Sequence, residues 1–337
     1  MHQKFVEGED LEEQLKASKP DMVVLMWPYR ESNITVAAVC KNLGIPIVAH
    51  ILGFDNISTK GRMIFEYGAY LCWSDNMKKE LMTFYPELSA NDVYVTGATQ
   101  YDLFKNKNLT LDRDKFFEKY QLDVNKKLIV VALGSPNFLK EDFFIQPFLN
   151  RIVDEGLANE VQVLIRPHPG FKTSEHLEST IKDSDAAVVL QLAQYHTAQD
   201  SAAFQDTDEI KEWISCLIHS DIVINMSSTF TVDAAFCDKP IINLNFDSQP
   251  GKVQEELIKT INANWNHLAP INRTGGLVLA NDMDEVIGGL RSYLDDPALH
   301  REGRMKLVDL ICGYRDGNSA ERYAAALNEI AGKLVHE

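Results

Sequence analysis

Short apolar runs alternate with stretches of helical periodicity along most of the chain. This alternation is typical of a parallel sheet wrapped by helices, rather than of a β-sandwich or a helix bundle. The pattern therefore predicts an α/β fold. Strands are predicted at 22–27, 45–52, 69–73, 93–96, 128–133, 161–165, 186–190, 222–225, 241–245 and 277–279. Helices are predicted at 10–17, 33–43, 60–67, 76–85, 113–120, 229–237, 284–294 and 319–334.

The alternation lapses between residues 97 and 127, in a polar segment rich in Lys, Asn and Asp. We therefore predict two domains, residues 1–110 and residues 111–337, with the C-terminal helices in the second. Before residue 22 there is only one helical stretch, where a doubly wound domain normally has further strand units. The first domain is expected to be reduced, or else to lack upstream sequence.

Two polar segments in the second domain follow apolar runs and suit the binding of phosphate. One run ends at Arg166, and the prolines on either side of His168 stiffen the turn that presents it. Another run is followed by Ser227 and Ser228, which cap a predicted helix beginning at Thr229. A helix N-terminus offers unpaired N–H donors and a partial positive charge. Both segments lie at carboxyl ends of strands, where open parallel sheets bind their ligands.

Each of these segments also has a plain structural interpretation. A serine pair at a helix start is an ordinary cap, and a His-Pro dipeptide is an ordinary turn. Arg166 suits a salt bridge at a strand end as well as it suits a phosphate. Gly134 and Ser135, after the first strand of the second domain, would let the backbone approach a ligand or would simply form a strand-to-helix turn.

Composition narrows the class of protein. The chain of 337 residues is 45% hydrophobic and carries a net charge of −16, which argues against duplex nucleic acid as its main partner. Its cysteines lack the close spacing of a zinc site and are expected to be buried thiols in a reducing compartment: Cys40, Cys72, Cys216, Cys237 and Cys312.

No secretory signal opens the chain and no apolar stretch approaches the roughly 20 residues that span a bilayer. We therefore expect a cytoplasmic protein. A peripheral contact with the inner face of the membrane is left open, through Lys78 and Lys79 or through Phe143 and Phe144.

Several segments of the second half together resemble the donor-binding domain of GT-B type transferases. The nearest branch includes bacterial CDP-glycerol glycerophosphotransferases and capsule or surface-carbohydrate glycosyltransferases. The matching elements are Arg166-Pro-His-Pro, His219-Ser-Asp-Ile-Val-Ile-Asn-Met-Ser-Ser, Asp233, Lys239-Pro-Ile-Ile, Phe246-Asp247 and Arg315-Asp-Gly-Asn-Ser-Ala-Glu-Arg. The first half adds two segments that are similar to acceptor domains of surface-glycan transferases, Phe54-Asp-Asn-Ile-Ser-Thr-Lys-Gly and Val95-Thr-Gly-Ala-Thr-Gln-Tyr-Asp. Ser227-Ser228 stands where the nucleotide-sugar 2-epimerases, which share the fold, have a Ser-Gly-Gly loop.

The resemblance implies two Rossmann-like domains facing a cleft that binds a nucleotide-activated donor. It implies a glycosyltransferase that moves a sugar to a bacterial surface glycan or a lipid-linked acceptor, without a metal or another cofactor. The expected donor-binding residues are Gly134, Ser135, Arg166, His168, Ser227, Ser228, Thr229 and Asp247.

The acceptor hydroxyl would need a general base from the first domain. His50, at a predicted strand end, and Asp55, in the loop after it, are the candidates. Glu31 is a weaker third candidate. His50 equally suits the role of a buried, hydrogen-bonded histidine.

Three other functions stay open. A CDP-glycerol or CDP-ribitol phosphotransferase would use the same phosphate site, and so would a noncatalytic nucleotide-sugar-binding protein. A UDP-N-acetylhexosamine 2-epimerase ranks lower. The donor base, the transferred group and the acceptor are not specified by the sequence.

Overall fold

The computed structural model describes residues 2–169, 171–192 and 206–334. The strands are β1 (Val23–Met26), β2 (Ile47–His50), β3 (Ala69–Cys72), β4 (Val93–Val95), β5 (Lys127–Ala132), β6 (Val161–Arg166), β7 (Val188–Leu190), β8 (Ile222–Asn225), β9 (Ile241–Leu244) and β10 (Val278–Ala280). Each coincides with a predicted strand, so the predicted α/β class is confirmed.

The helices are of ordinary length apart from two short ones, α3 and α11. They are α1 (His2–Ser18), α2 (Glu31–Leu43), α3 (Asn56–Thr59), α4 (Asp75–Phe84), α5 (Arg113–Lys119), α6 (Ile145–Asp154), α7 (Glu175–Lys182), α8 (Thr207–His219), α9 (Thr229–Phe236), α10 (Glu255–Asn264), α11 (Ala269–Asn272), α12 (Met283–Asp295), α13 (Arg301–Cys312) and α14 (Ser319–Leu334). Among the described residues, no helix is long and apolar enough to cross a membrane.

The chain forms two compact units. The first contains the residues up to Leu103 and those from Asp309 onward, and the second is Phe104–Val308. The first has a parallel sheet in the order β1-β2-β3-β4. Its core includes Val48 and Leu71 of this sheet, which pack with Ala326 and Ile330 of α14.

The second unit has a six-stranded parallel sheet in the order β10-β9-β8-β5-β6-β7. Numbered from β5, this is the order 3-2-1-4-5-6 of the doubly wound dinucleotide-binding fold. β6 and β8 are buried at every position, as expected for central parallel strands covered on both faces. The direction of winding changes between β5 and β8, so the ligand-binding position of this fold lies at their carboxyl ends.

Two details differ from the sequence prediction. The helix predicted at 60–67 is wrong, because α3 ends at Thr59 and Gly61 takes a left-handed φ of 81° that interrupts a helix. Seven of the helices in the described ranges were not predicted: α3, α6, α7, α8, α10, α11 and α13.

The C-terminal segment also groups differently from the predicted division at residue 110. The prediction placed the C-terminal helices with the second domain, whereas the residues from Asp309 onward belong to the first unit. Besides the apolar packing of α14, the backbone N–H groups of Ser319 and Ala320 donate to the Asp102 carboxylate, at 3.1 and 2.7 Å. A contact more than 200 positions apart in sequence carries no local signal.

Candidate functional site

A cavity of about 280 Å³ lies in the second unit and includes residues from the carboxyl ends of both β5 and β8. Six of the predicted donor-binding residues line it: Gly134, Ser135, His168, Ser227, Ser228 and Thr229. The first two follow β5, the third follows β6, and the last three lie between β8 and the first turn of α9. The fold therefore brings together side chains from three separate loops at the strand edge where such sheets bind ligands.

Ser227 is the most unusual residue of this cavity. Its backbone adopts a positive φ of 26°, although it is not a glycine. The residue is only 7% exposed, and its hydroxyl has no hydrogen-bond partner among the described residues. Left-handed backbone in non-glycine residues and buried unpaired polar groups both cost free energy. Ser227 therefore carries both free-energy costs, one in its backbone and one in its hydroxyl, and it lines the cavity.

Ser228 behaves differently from its neighbour. It is the N-cap of α9, and its Oγ accepts a hydrogen bond from the Phe230 N–H at 3.2 Å. The same hydroxyl donates to Asn225 Oδ1 at 3.1 Å, and the Ser228 N–H donates to that oxygen at 3.1 Å as well. Of the two serines predicted to cap the helix, only Ser228 does so.

Asn225 fixes the turn between β8 and α9 through its side-chain amide oxygen. It ends β8 and is 1% exposed, and its Oδ1 also accepts a hydrogen bond from Thr231 Oγ1 at 2.9 Å. The amide oxygen thereby fixes the start of α9 to the end of the strand. Sequence analysis did not predict this role, because the pattern indicates only that Asn225 is the last residue of a strand.

Glu141 is a second residue that the sequence analysis missed. It is 8% exposed and lines the cavity. Its Oε2 accepts a hydrogen bond from the Gly134 N–H at 2.8 Å. The pKa of Glu141 is raised to about 8, chiefly by burial; the Gly134 N–H opposes this shift and the nearby Asp142 adds to it. A lone Glu in a loop has no sequence signature that predicts such burial.

The contact with Glu141 also explains Gly134. A Cβ at this position would lie 2.5 Å from Glu141 Oε1, which is closer than real contacts allow. Any larger residue here would therefore make the end of the Glu141 side chain shift. The predicted role of Gly134, a close approach of the backbone to the donor, stays a prediction.

His168 and Arg166 have separate environments. The His168 ring packs edge-on to Phe171 at 5.2 Å between centroids, and partial burial lowers its pKa. Arg166 is 6% exposed, and its Nη1 donates to Gln191 Oε1 at 2.8 Å. It is not among the residues that line the cavity. Its predicted contact with phosphate stays a prediction.

Asp247 is buried beside a smaller cavity that Glu141 also lines. Its two carboxylate oxygens accept hydrogen bonds from the N–H groups of Gln249 and Gln254, at 2.9 and 2.6 Å. The carboxylate therefore orders the loop between β9 and α10. Its predicted hydrogen bond to a donor hydroxyl stays a prediction.

The two candidate bases lie in the first unit. His50 ends β2 and is 4% exposed, and burial lowers its pKa to about 4. Its Nδ1 lies 3.3 Å from the Tyr323 hydroxyl. The Asp55 carboxylate accepts hydrogen bonds from Asn56 Nδ2 at 2.9 Å and Thr59 Oγ1 at 3.2 Å. These contacts fix both side chains, and their catalytic roles stay predictions.

No group of three or more His, Cys, Asp or Glu residues in the described ranges could hold a metal ion. The expectation of a metal-independent reaction rests on the resemblance and stays a prediction.

Comparisons with known proteins agree with the fold. The chain is 15% identical to the S. aureus MnaA bound to UDP, with a TM-score of 0.64 over 100% of this chain and 82% of that one. A UDP-GlcNAc 2-epimerase from Neisseria meningitidis bound to UDP-GlcNAc gives 14% identity and a TM-score of 0.60, over 96% and 80%. The wall teichoic acid polymerase TagF with CDPG gives 10% identity and a TM-score of 0.53, over 86% and 67%.

Sequence comparisons add little to this. No protein-family model matches the chain. One curated protein, the transcription-repair-coupling factor of Rickettsia conorii, is 27% identical over 179 residues. That match covers 43% of this chain and only 16% of the Rickettsia protein's length. The structural neighbours share a two-domain, Rossmann-like architecture with this chain, and the predicted GT-B type of fold is confirmed.

Proposed function

We propose that the second unit binds the diphosphate of a nucleotide-activated donor in the cavity at β5 and β8. The observation that carries this proposal is Ser227, whose strained backbone holds an unpaired, nearly buried hydroxyl beside the cavity. Strain of this kind persists only where surrounding structure enforces it, and it clusters at ligand sites. A phosphate oxygen would supply the missing acceptor for that hydroxyl.

The surroundings of Ser227 suit the same ligand. The amino end of α9 supplies partial positive charge beside the cavity at Thr229. When a donor transfers its group, negative charge grows on the departing nucleotide, and preorganised hydroxyl and N–H donors stabilise that charge. His168, whose pKa is lowered, lines the same cavity as a neutral ring that can donate or accept one hydrogen bond.

Ligands named for the structural neighbours support a nucleotide donor: UDP, UDP-GlcNAc and CDPG. We propose a metal-independent glycosyltransferase that moves a sugar from such a donor to a surface glycan or a lipid-linked acceptor. His50 and Asp55 are the proposed bases for the acceptor hydroxyl. The low pKa of His50 makes it a weak base, since general bases act best with a pKa near the working pH.

Two other activities are favoured by particular neighbours. UDP-GlcNAc 2-epimerases align over 91–96% of this chain with TM-scores of 0.55–0.65, above the 0.53 of TagF. Epimerisation at C2 of a UDP-N-acetylhexosamine is therefore the second candidate. Transfer of a polyol phosphate from a CDP-polyol, for which TagF is the relative, is the third.

The first test is a thermal-shift screen of the purified protein against CMP, CDP, UDP and GDP. A ligand that binds only the folded state raises the melting temperature, so one responsive nucleotide would also identify the base of the donor. Ser227→Ala and a surface control, Lys306→Ala, are screened in parallel. The proposal expects the shift to shrink in the first variant alone. It fails if none of the four nucleotides shifts the wild-type protein.

Product analysis then separates the activities. Release of UDP or GDP from a nucleotide-sugar with acceptor present, and the sugar found on the acceptor by mass, indicates a glycosyltransferase. Release of CMP from CDP-glycerol or CDP-ribitol, with the polyol phosphate on the acceptor, indicates the phosphotransferase. Conversion of UDP-N-acetylhexosamine to its C2 epimer without acceptor indicates the epimerase. Binding without turnover on a verified acceptor indicates a noncatalytic protein.

A further inference from the structure

The Glu141 carboxyl occupies a central position in the site. It lines the cavity of about 280 Å³ that contains Ser227, and it also lines two smaller cavities of about 50 and 10 Å³. Leu139 is the other residue that all three share. A ligand that fills the main cavity therefore meets this side chain.

The carboxyl is held in one orientation. Its Oε2 accepts the Gly134 N–H at 2.8 Å, and its Oε1 lies so close to Gly134 that a Cβ there would be 2.5 Å away. Within the described part of the chain, Oε1 has no hydrogen-bond partner. One oxygen is thus used to fix the group, and the other is left for a ligand.

The charges around this carboxyl do not favour its ionised form. It makes no ion pair with a cation in the described ranges, and its one strongly felt neighbouring charge is the acidic Asp142. The remaining walls include Leu139, Met226 and Ile258, which are apolar. Burial in such surroundings raises the pKa of Glu141 to about 8, so the carboxyl is mostly protonated at neutral pH.

Resting on the proposed function, we infer that Glu141 is a ligand-contact residue that meets the anionic donor as a neutral carboxylic acid and donates its proton in a hydrogen bond to a phosphate oxygen. An ionised Glu141 would place a like charge beside the diphosphate, and like charges at close range repel each other. The cavity therefore holds either the bound anion or an ionised Glu141, and nucleotide binding at alkaline pH takes up one proton from solvent.

Other titratable and charged groups line the same three cavities, and all of them are unchanged in a Glu141 variant: Lys140, Asp142, His168, Lys172 and Asp247. The last phosphate ionisation of a nucleotide is complete above a pH of about 7, since its pKa is near 6. A comparison of wild type with Glu141→Gln at pH 7 and pH 9 therefore isolates the effect of Glu141 ionisation on nucleotide binding. Glutamine keeps an oxygen for the Gly134 N–H and cannot ionise.

The experiment measures the affinity of UDP, CDP, GDP and CMP by calorimetry at pH 7 and pH 9, in two buffers of different ionisation enthalpy. The wild-type affinity is expected to fall about tenfold between the two pH values, because the competent, protonated fraction falls by that factor. At pH 9 the wild type takes up close to one proton per nucleotide bound. Glu141→Gln, which cannot ionise, shows neither effect.

The outcomes separate this inference from the proposed function. If no nucleotide binds the wild type at either pH, both fail. If a nucleotide binds with equal affinity at pH 7 and pH 9 and without proton uptake, the role of Glu141 fails and the proposed function stands. The same holds if folded Glu141→Gln shows the wild-type pH dependence. Should that variant not fold, the wild-type measurement decides alone.

Discussion

The carboxyl edges of the two parallel sheets end in side chains of different size. In the second unit β5 and β8 are followed by Gly134 and Ser227, and a cavity of about 280 Å³ opens beside them. In the first unit β1 is followed by Trp27 and β2 ends in His50, whose ring packs on Tyr323 at 4.9 Å between centroids. Both edges carry a strained residue, since Trp27 has a φ of 68° and Ser227 a φ of 26°.

The comparison shows that strain alone does not define a site. Ser227 and Trp27 both also carry a buried donor without a partner in the described ranges. At the second edge the unpaired Ser227 hydroxyl lies beside a cavity that Gly134 and Ser135 also line. The two units can also be compared through two carboxyls with a raised pKa: Glu141 in the second unit, which is buried, and Glu80 in the first, which is half-buried.

The largest expected effect comes from replacing these two carboxyls. Burial raises the pKa of Glu141 to about 8 and that of Glu80 to about 7, from 4.5. The folded protein thus holds a proton that the unfolded chain has lost, so each carboxyl lowers stability as pH rises from 4.5 to its folded pKa. Glu141→Gln should raise the free energy of unfolding by about 2–4 kcal/mol at pH 8.5 and by little at pH 5.

Glu80→Gln should show a smaller gain that is complete by pH 7, because its folded pKa is lower. Urea unfolding of both variants and of the wild type from pH 5 to pH 9 makes the measurement. Equal stability differences at pH 5 and pH 8.5 for Glu141→Gln would falsify its protonation in the folded state.

His50 is expected to make the first unit sensitive to acid. Its pKa is lowered by burial from 6.5 to about 4, so the unfolded chain binds a proton that the folded protein does not. Stability contributed by the neutral ring is present above pH 6.5 and is lost as pH falls toward 4, by about 2 kcal/mol. His50→Gln should remove this slope, whereas Tyr323→Phe, which keeps the imidazole, should retain it. Urea unfolding between pH 7 and pH 4 tests both; identical slopes in wild type and His50→Gln would contradict the prediction.

Gly134→Ala should strain the edge of the second sheet. The new Cβ would lie 2.5 Å from Glu141 Oε1, so the end of the glutamate side chain must shift, at a cost of about 1 kcal/mol or less in unfolding free energy. Gly288→Ala is the matched control, because Gly288 lies in α12 with nothing within 4 Å of an added Cβ, and alanine favours a helix. Adding Glu141→Ala should relieve part of the Gly134→Ala cost. A Gly134→Ala cost that Glu141→Ala does not relieve would contradict the contact between the two residues.

Replacing the two adjacent serines is expected to have similarly small effects on stability. The two variants should differ in whether stability or nucleotide binding is lost. Ser228→Ala loses the N-cap of α9 and should cost about 1 kcal/mol of stability. Ser227→Ala removes an unpaired hydroxyl, so it should leave stability within about 0.5 kcal/mol while weakening nucleotide binding about tenfold. Thermal melting with and without nucleotide measures both properties. The reverse pattern, stability lost at Ser227 and affinity unaffected, would place the ligand elsewhere.

The ten strands follow from local pattern, because burial on both faces of a parallel sheet demands continuous apolar runs. Of the fourteen helices in the described ranges, seven were predicted. The helix predicted at 60–67 failed because the left-handed conformation of Gly61 was not recognised. The hydrogen bond from Arg166 to Gln191, 25 positions away in sequence, depends on the alignment of β6 with β7. It therefore has no local sequence signature.

The sequence by itself determined the α/β class and the strand positions, since both depend on residues close together in the chain. Only the tertiary structure decided which serine is strained, that Glu141 is buried against Gly134, and that α14 packs with the first sheet. The reason is physical. Burial, charge and strain depend on which distant segments meet, and hydrophobic periodicity reports only that a face is covered, not by what.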